Sequence, residues 1–555
     1  MARMTGDQFF AQAMKGYGVT HLFFVPTIML PSMAAMEDLD IRRVVTHGEK
    51  AAAYMADGYA RASHRPGFCL AQAIGAANLA AGLRDAKMAG SPVIAITGGP
   101  EPDSRYRHVY QEIEDFPMFD PVTKFNAQID RVDRLPDLLR QAFRVATSGA
   151  PGPVHLRVTG RHGNVLEEEA DLDLVIEEQF AQYPAFRPEP EPERVRQAAR
   201  VLREARRPII VAGGGVAASG AAAEVVALAE KLSIPVATSM NGKGTIPDDH
   251  PLAVGVVGVY SRRCANQAVA EADLVFFIGS PAGSHVTNNW KIPPAGTRVM
   301  QLDIEPTELG RGYPLAVGLL GDAKVTLRRL IEAVEPVPAP TEWAGRVQGL
   351  VNDWRAEVAA QKRADDVPIR PERICQEITE WLPANGVVVS DTGHSGMWTG
   401  TMFDVTKPGQ RYLRCAGSLG WAFPASLGVK CALPDQPVVC FCGDGGFYYH
   451  LAELETAARY GINAIIVVNN NHALNQEQRL FNAAYGGQMR GRADEMWVFR
   501  ETNFAQVAEA MGCLGIRVER PGDLRGALER AAAANRPAVI DVASDITAMA
   551  ARPWG

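Results

Sequence analysis

Short apolar runs alternate with amphipathic stretches through most of this chain, and the alternation predicts its architecture. Residues 438–442 (VVCFC) form a buried-strand pattern that ends on Gly443-Asp444-Gly445-Gly446. Residues 450–460 (HLAELETAARY) have helical spacing, Gly461 stops them, and residues 464–468 (AIIVV) form a second apolar strand leading into Asn469-Asn470-Asn471. A strand, helix and strand of this length make one βαβ unit, so the turns after both strands emerge at the same sheet edge. The alternation recurs at residues 208–212 and 387–389, and at Val44-Val45 before an alanine-rich helix. Two stretches break it, residues 166–194 and 336–373, where apolar periodicity fades while charge and proline rise; the second contains a polar helix. They divide the chain into blocks 1–168, 190–335 and 370–555, each predicted to be an α/β domain with a doubly wound parallel sheet.

Length agrees with that division, because 555 residues exceed one hydrophobic core and about 150 residues make a domain. A net charge of −7 with no basic block gives no support for a nucleic acid or an anionic membrane as partner. No apolar run approaches the length of a membrane span, and the N-terminal MARMTGDQFFAQAMKGYGV lacks a signal peptide's apolar region, so a cytoplasmic protein is expected. The eight cysteines are scattered, mostly in apolar contexts and without a CxxC pair, which predicts core thiols.

The chemistry concentrates in two segments. After residues 438–442, the small residues of Gly443-Asp444-Gly445-Gly446 let backbone N–H groups approach an anion, and Asp444 supplies a hard oxygen suited to Mg2+. Asn471 emerges at the same edge, so the two oxygens can share one ion. In the first block, the segment VVTHGEKAAAYMADGYAR (44–61) places one carboxylate, Glu49, between a strand end and an alanine-rich helix. A glutamate in a first helical turn usually complements the helix dipole. Its neighbours suggest more.

A Gly-Asp-Gly opening closed by an asparagine pair, together with the Glu49 segment and its Ala-Asp-Gly-Tyr-Ala-Arg, resembles the thiamine diphosphate enzymes. The three-block order is similar to the pyrimidine-binding, central and diphosphate-binding domains of the acetolactate synthase, pyruvate oxidase and benzaldehyde lyase group. The resemblance implies thiamine diphosphate and Mg2+ as cofactors, with Asp444, Asn471 and the carbonyl of Ala473 as metal ligands. Glu49 would hydrogen-bond the aminopyrimidine N1′ and promote deprotonation at thiazolium C2. Gly417 would accept from the 4′-amino group and Leu419 would form the wedge beneath the cofactor. Asn78, Gly393, His394, Ser395, Gly443, Gly445, Gly446 and Leu474 complete the implied cofactor contacts. Glu49 and the diphosphate anchor lie in different blocks, and in this family such a site joins two subunits. A homodimer or homotetramer is therefore implied.

The chain departs from its relatives where substrate selection is expected. A Gly-Gly that faces the thiazolium in acetolactate synthases is replaced around Thr27 and Ile28, and the next loop reads Ala73-Ile74-Gly75-Ala76-Ala77-Asn78. Leu480 stands where acetohydroxyacid synthases have a selective tryptophan. These differences predict an enzyme other than the biosynthetic acetohydroxyacid synthase. Gln111, within a matched Tyr-Gln-Glu, is a candidate to orient a bound carbonyl; His47 and His108 flank matched motifs and are candidates for proton transfer. Arg105 and Arg107 are a candidate substrate-anion clamp, while His394, His450, Tyr448 and Lys124 are further polar candidates. Gly213-Gly214-Gly215 after a strand can approach a pyrophosphate, and relatives use this region for FAD, for ADP or for nothing. The arginine of the flavin-binding pattern is missing from residues 279–284, so a redox flavin is not expected.

The activity so implied is C–C bond lysis or ligation on 2-oxo acids or acyloins. The alternatives are a simple 2-oxo acid decarboxylase releasing an aldehyde and a non-catalytic cofactor-binding homologue. Retention of Glu49 argues against the second.

Overall fold

The computed structural model describes residues 2–551 and folds them around three six-stranded parallel sheets. The N-terminal sheet runs Arg42–Val45, His21–Phe24, Gly67–Ala71, Val93–Gly99, Val154–Thr159, Phe125–Ile129. The C-terminal sheet repeats this order with Arg411–Arg414, Val387–Ser390, Val438–Gly443, Ile465–Asn470, Ala538–Ala543, Leu514–Val518. Counted within each domain, both orders are 2-1-3-4-6-5. The central sheet runs Ala253–Val256, Val236–Thr238, Pro208–Ala212, Leu274–Ile278, Arg298–Asp303, Val317–Leu320, the 3-2-1-4-5-6 order of dinucleotide-binding folds. Most strands are buried, as sheets covered by helices on both faces must be.

Strand order decides where ligands can sit, because chain directions diverge and open a crevice at a topological switch point. In the N-terminal sheet the switch lies between His21–Phe24 and Gly67–Ala71, followed by Thr27 and by Gln72-Ala73. In the C-terminal sheet it lies between Val387–Ser390 and Val438–Gly443, followed by Asp391 and Asp444. The central switch point presents Gly213–215 and residues 279–280.

Three details differ from the sequence pattern. The helix expected from 450 begins at Glu453, because a short helix, Asp444–Tyr448, and a turn intervene and bury His450 against Tyr54. The polar helix in the second break is Glu342–Lys362, and it packs into the core: Trp343, Val347, Leu350, Val351, Trp354 and Val358 form a buried stripe at helical spacing. The first break also carries structure, since Glu169–Leu172 pairs antiparallel with Ala2–Thr5, and Leu172 and Phe180 join the N-terminal core.

The N- and C-terminal domains meet through Glu49–Ser63 and Ala422–Ala432, two helices that cross at backbone contact. A Cβ on Gly58 would stand 2.1 Å from the Ala425 carbonyl oxygen, and one on Gly428 1.9 Å from that of Met55. Only glycine permits this approach.

Candidate active site

Glu49 opens its helix after Gly48, with its carboxylate half-buried at the N-terminus where the helix dipole favours negative charge. Asn78 Nδ2 donates to Glu49 Oε2 at 3.2 Å. Gly75 leaves the space the carboxylate occupies, since a Cβ there would lie 2.4 Å from Oε1.

Asp444 is buried immediately after Val438–Gly443. Its Oδ1 accepts from Gly445 N at 2.8 Å and its Oδ2 from Ala473 N at 3.0 Å; the same Ala473 N–H reaches Asn471 Oδ1 at 3.2 Å. Two side-chain oxygens thus converge on one donor from adjacent parallel strands. Burial pushes the Asp444 carboxyl up to about 7, against the backbone N–H groups of Gly445 and Ala473 that favour the anion. Among the described residues no three His, Cys, Asp or Glu side chains gather as a metal cluster. The oxygens gathered here belong to a carboxylate and an amide, hard donors that suit Mg2+ better than a soft transition metal.

Around this anchor, Asp391 accepts from Thr392 N at 2.7 Å and Gly420 N at 3.0 Å, and its burial likewise raises its carboxyl to about 7. Leu419, one residue before that donor, packs beside Gly446, and Leu474 packs against Gly445. Gly393 takes φ 65° and starts the helix His394–Met402, where His394 Nδ1 and Asn475 Oδ1 lie 2.6 Å apart and Ser395 is buried.

A third group ties the two halves together. Asp85, fully buried on Ala76–Ala89, accepts from Ala416 N (2.8 Å), Gly417 N (3.1 Å) and Ser418 N (3.0 Å). Arg61 lies between Asp85 (3.3 Å) and Asp57 (2.8 Å) and donates to the Arg414 carbonyl at 2.7 Å, while Trp421 Nε1 donates to Asp57 at 2.9 Å. This network grips the segment carrying Gly417 and Leu419 from both ends. Sequence reasoning passed over Asp85, Gly75 and Trp421. The available signal was an aspartate on the buried face of an otherwise apolar helix, a position that demands partners.

Other sequence candidates are placed elsewhere. His47 is half-exposed and pairs through Nε2 with Glu455 at 2.8 Å. His108 is exposed in the 100–115 loop, and Gln111, at φ 67°, buries an Oε1 that has no protein partner. Arg105 is paired with Glu114 at 2.8 Å, and Lys124 spends its ammonium on the carbonyls of Val145, Ser148 and Ala150, so neither stands free as an anion clamp. Burial drives His450 down to about 3 and keeps it neutral; Tyr448 donates to Thr502 at 2.5 Å. Thr27 Oγ1 donates to Gln72 Oε1 at 3.3 Å; Ile28 and Ala73 are buried, whereas Ile74 and Leu480 are exposed.

A carboxylate at one sheet edge and two convergent side-chain oxygens at another make an α/β protein with polar sites at the ends of its parallel strands. Comparison with known proteins narrows the class. Three family models match: thiamine pyrophosphate enzyme, N-terminal TPP binding domain (residues 4–118), central domain (195–330) and C-terminal TPP binding domain (391–542). A probable acetolactate synthase large subunit of Methanocaldococcus jannaschii is 33% identical, covering 98% of this chain and 92% of its own. A glyoxylate carboligase of Escherichia coli O157:H7 is 32% identical (96% and 91%), and an acetolactate synthase large subunit of Haemophilus influenzae 27% identical (96% and 92%). The chain belongs to the thiamine pyrophosphate enzyme family and is acetolactate synthase-like. No helix among the described residues is long and apolar enough to cross a membrane.

Proposed function

We propose that this protein is a thiamine diphosphate- and Mg2+-dependent carboligase that joins a 2-oxo acid donor to an acceptor carbonyl compound. The observation that carries the reading is the Glu49 carboxylate, oriented by Asn78 and accommodated by Gly75. A mere cofactor binder has no use for it. Bound thiamine diphosphate supplies the electron sink: the donor loses carbon dioxide, the electron pair left behind forms the bond to the acceptor carbonyl carbon, and the acceptor oxygen takes a proton.

The chain's own residues then take these roles. Glu49 holds the proton at the aminopyrimidine N1′. The Gly417 carbonyl would accept from the 4′-amino group, its peptide oriented by the Ser418 N–H that donates to Asp85. Leu419, packed beside Gly446, would lie against a bound cofactor. Asp444, Asn471 and the Ala473 carbonyl would hold Mg2+, and Gln111 would use its unpartnered Oε1 or its amide on the bound substrate. The apolar Thr27-Ile28 and Ala73-Ile74 segments support a substrate range different from that of acetohydroxyacid synthases.

Exposed apolar side chains occur in both terminal domains, with Ile74, Tyr106 and Tyr110 in the first and Tyr449 and Leu480 in the last. Their exposure supports a site completed by a second copy, in a homodimer or homotetramer, which sedimentation velocity measures. In the central domain a cavity of about 790 Å³ at the switch point, lined by Gly214, Gly215, Ser280 and Asp303, is suited to FAD or ADP. Heat release and chromatography of any bound nucleotide would identify it.

The central test is incubation with thiamine diphosphate, Mg2+ and a panel of 2-oxo acids and aldehydes, read by mass spectrometry. Ligated products are expected. Aldehyde alone would establish a decarboxylase instead, and absence of both product and C2 proton exchange would overturn the enzymatic reading.

A further inference from the structure

Where the three domains meet, two arginines carry charge that no acid among the described residues neutralises. Arg411 and Arg414 begin and end the strand Arg411–Arg414, which forms one outer edge of the C-terminal sheet. Arg414 is buried: Nη2 donates to Thr392 Oγ1 at 3.2 Å, the guanidinium lies over the Tyr260 ring at 5.2 Å, and Nε has no partner. Arg411 is half-buried and donates to two carbonyls, from Nη1 to Ala62 at 2.9 Å and from Nη2 to Arg61 at 2.7 Å. Two of its five N–H donors are so used. Both carbonyls lie in the last turn of the Glu49–Ser63 helix, whose C-terminus offers about half an elementary charge. Burial nonetheless lowers Arg411 from its ordinary range, the mark of a cation without a counterion.

Beside these side chains lies a cavity of about 230 Å³, several times the roughly 30 Å³ share of one water. Its wall takes Arg61 and His64 from the N-terminal domain, Asn241 and Lys243 from the central domain, and residues 410–414 from the C-terminal domain. No aspartate or glutamate among the described residues lines it. Arg61 and Lys243 are already paired, with Asp57 at 2.8 Å and Asp248 at 3.0 Å, so the unspent charge is that of Arg411 and Arg414. The larger central-domain cavity adjoins this one and shares Gly214 and Arg414, whereas Arg411 lines only the smaller.

We infer that the smaller cavity binds a phosphate group, free or as a phosphomonoester, with Arg411 as its direct ligand and Arg414 as the second positive charge in the wall. A buried cation without a counterion is costly, and a dianion supplies the two charges that are missing. A guanidinium fork also matches two phosphate oxygens at once. A monocarboxylate would leave one charge unmet. Occupancy would act beyond the cavity. Arg61 donates to the Arg414 carbonyl at 2.7 Å and meets Asp85, the acceptor for the 416–418 backbone. A phosphate on Arg411 therefore braces a junction of all three domains that ends at the segment carrying Gly417 and Leu419. The site is independent of the chemistry at Glu49.

The test is titration calorimetry on the full chain, with inorganic phosphate and with glycerol 3-phosphate, in a buffer free of other oxyanions and against sodium chloride at equal ionic strength. Saturable binding of a single phosphate per chain is expected, and hydrogen exchange of the 410–414 backbone should slow with it. Arg411→Gln retains an N–H for the helix carbonyls but no charge, and should weaken binding about 10- to 100-fold, the range of a hydrogen bond to a charged group. Arg411→Lys should lose less, having charge without the fork. Unfolding midpoints without phosphate establish that each variant is folded; should Arg411→Gln fail to fold, Arg411→Lys carries the comparison. Absence of saturable binding, or an affinity that neither substitution moves, overturns the inference. Tighter binding of glycerol 3-phosphate assigns an organic phosphate as the occupant, and tighter binding of phosphate assigns the free ion; either upholds the site.

Discussion

Gly75→Ala isolates the placement of the Glu49 carboxylate from every other property of the site. Gly75 has φ −86° and ψ −5°, a conformation open to any L-residue, so alanine introduces no backbone strain. The new Cβ would stand 2.4 Å from Glu49 Oε1 and 2.8 Å from Cδ and Cγ. Relief requires the carboxylate to retreat by roughly 1 Å, judged against ordinary van der Waals separations. The displaced atoms are the free end of a flexible side chain, so the stability cost is that of a rotamer adjustment, about 0.5–1.5 kcal/mol. Misplacement of a catalytic group by 1 Å costs about 10²-fold in rate, equivalent to about 2.7 kcal/mol at the transition state.

The assay is acid-quenched hydrogen–deuterium exchange at cofactor C2, followed by proton NMR. Cofactor affinity and the thermal unfolding midpoint are measured alongside. Gly75→Ala should bind cofactor and remain folded while exchanging about 10²-fold more slowly; Glu49→Gln should lose about 10²- to 10⁴-fold. In the double variant the Gly75→Ala effect should vanish, since it acts only through Glu49. Wild-type exchange in Gly75→Ala, or a full second loss in the double variant, would refute the reasoning.

The proposed Mg2+ site couples to pH. If Asp444 holds Mg2+ as proposed, the ion must displace the proton that burial holds there up to about pH 7, so apparent Mg2+ affinity should rise about tenfold per pH unit between about pH 5 and 7 and then flatten, as titration calorimetry would read. By the same linkage the folded, metal-free protein binds the extra proton between 3.8 and about 7, so its stability should fall as pH rises through that window; a stability that rises there would contradict the assignment. Asp444→Ala should abolish the Mg2+ dependence of cofactor retention. Asp85→Ala removes the acceptor of three backbone N–H groups while Arg61 keeps Asp57, a loss of about 1–3 kcal/mol by comparison with a hydrogen bond left unmade, and should release cofactor on gel filtration at concentrations where the wild type retains it. Gly428→Ala should separate the crossing helices, lowering the unfolding midpoint before any change at Glu49 itself is made.

Much of the architecture was legible in the chain because local chemistry carries it. Apolar runs of strand length ending in small residues, Gly461 in its left-handed C-cap at φ 62°, and the Asp444 and Asn471 turns on adjacent strands all follow from periodicity and turn chemistry within one βαβ unit. The Glu49 segment was equally readable as a strand end followed by a helix. What sequence alone determined, then, is which residues could do chemistry and which element each would stand on. Tertiary structure decided which of them meet. Asp85 reaches backbone donors more than 300 positions away, and Gly75 matters only because the Glu49 carboxylate fills the space beside it. The Glu342–Lys362 helix read as polar because its buried stripe is diluted by charge, yet packing claimed it for the core. Such contacts join a side chain to a distant backbone group or to the absence of a side chain, and neither leaves any periodicity along the chain. They exist only once three switch-point crevices and one glycine-lined helix crossing have set the domains in place.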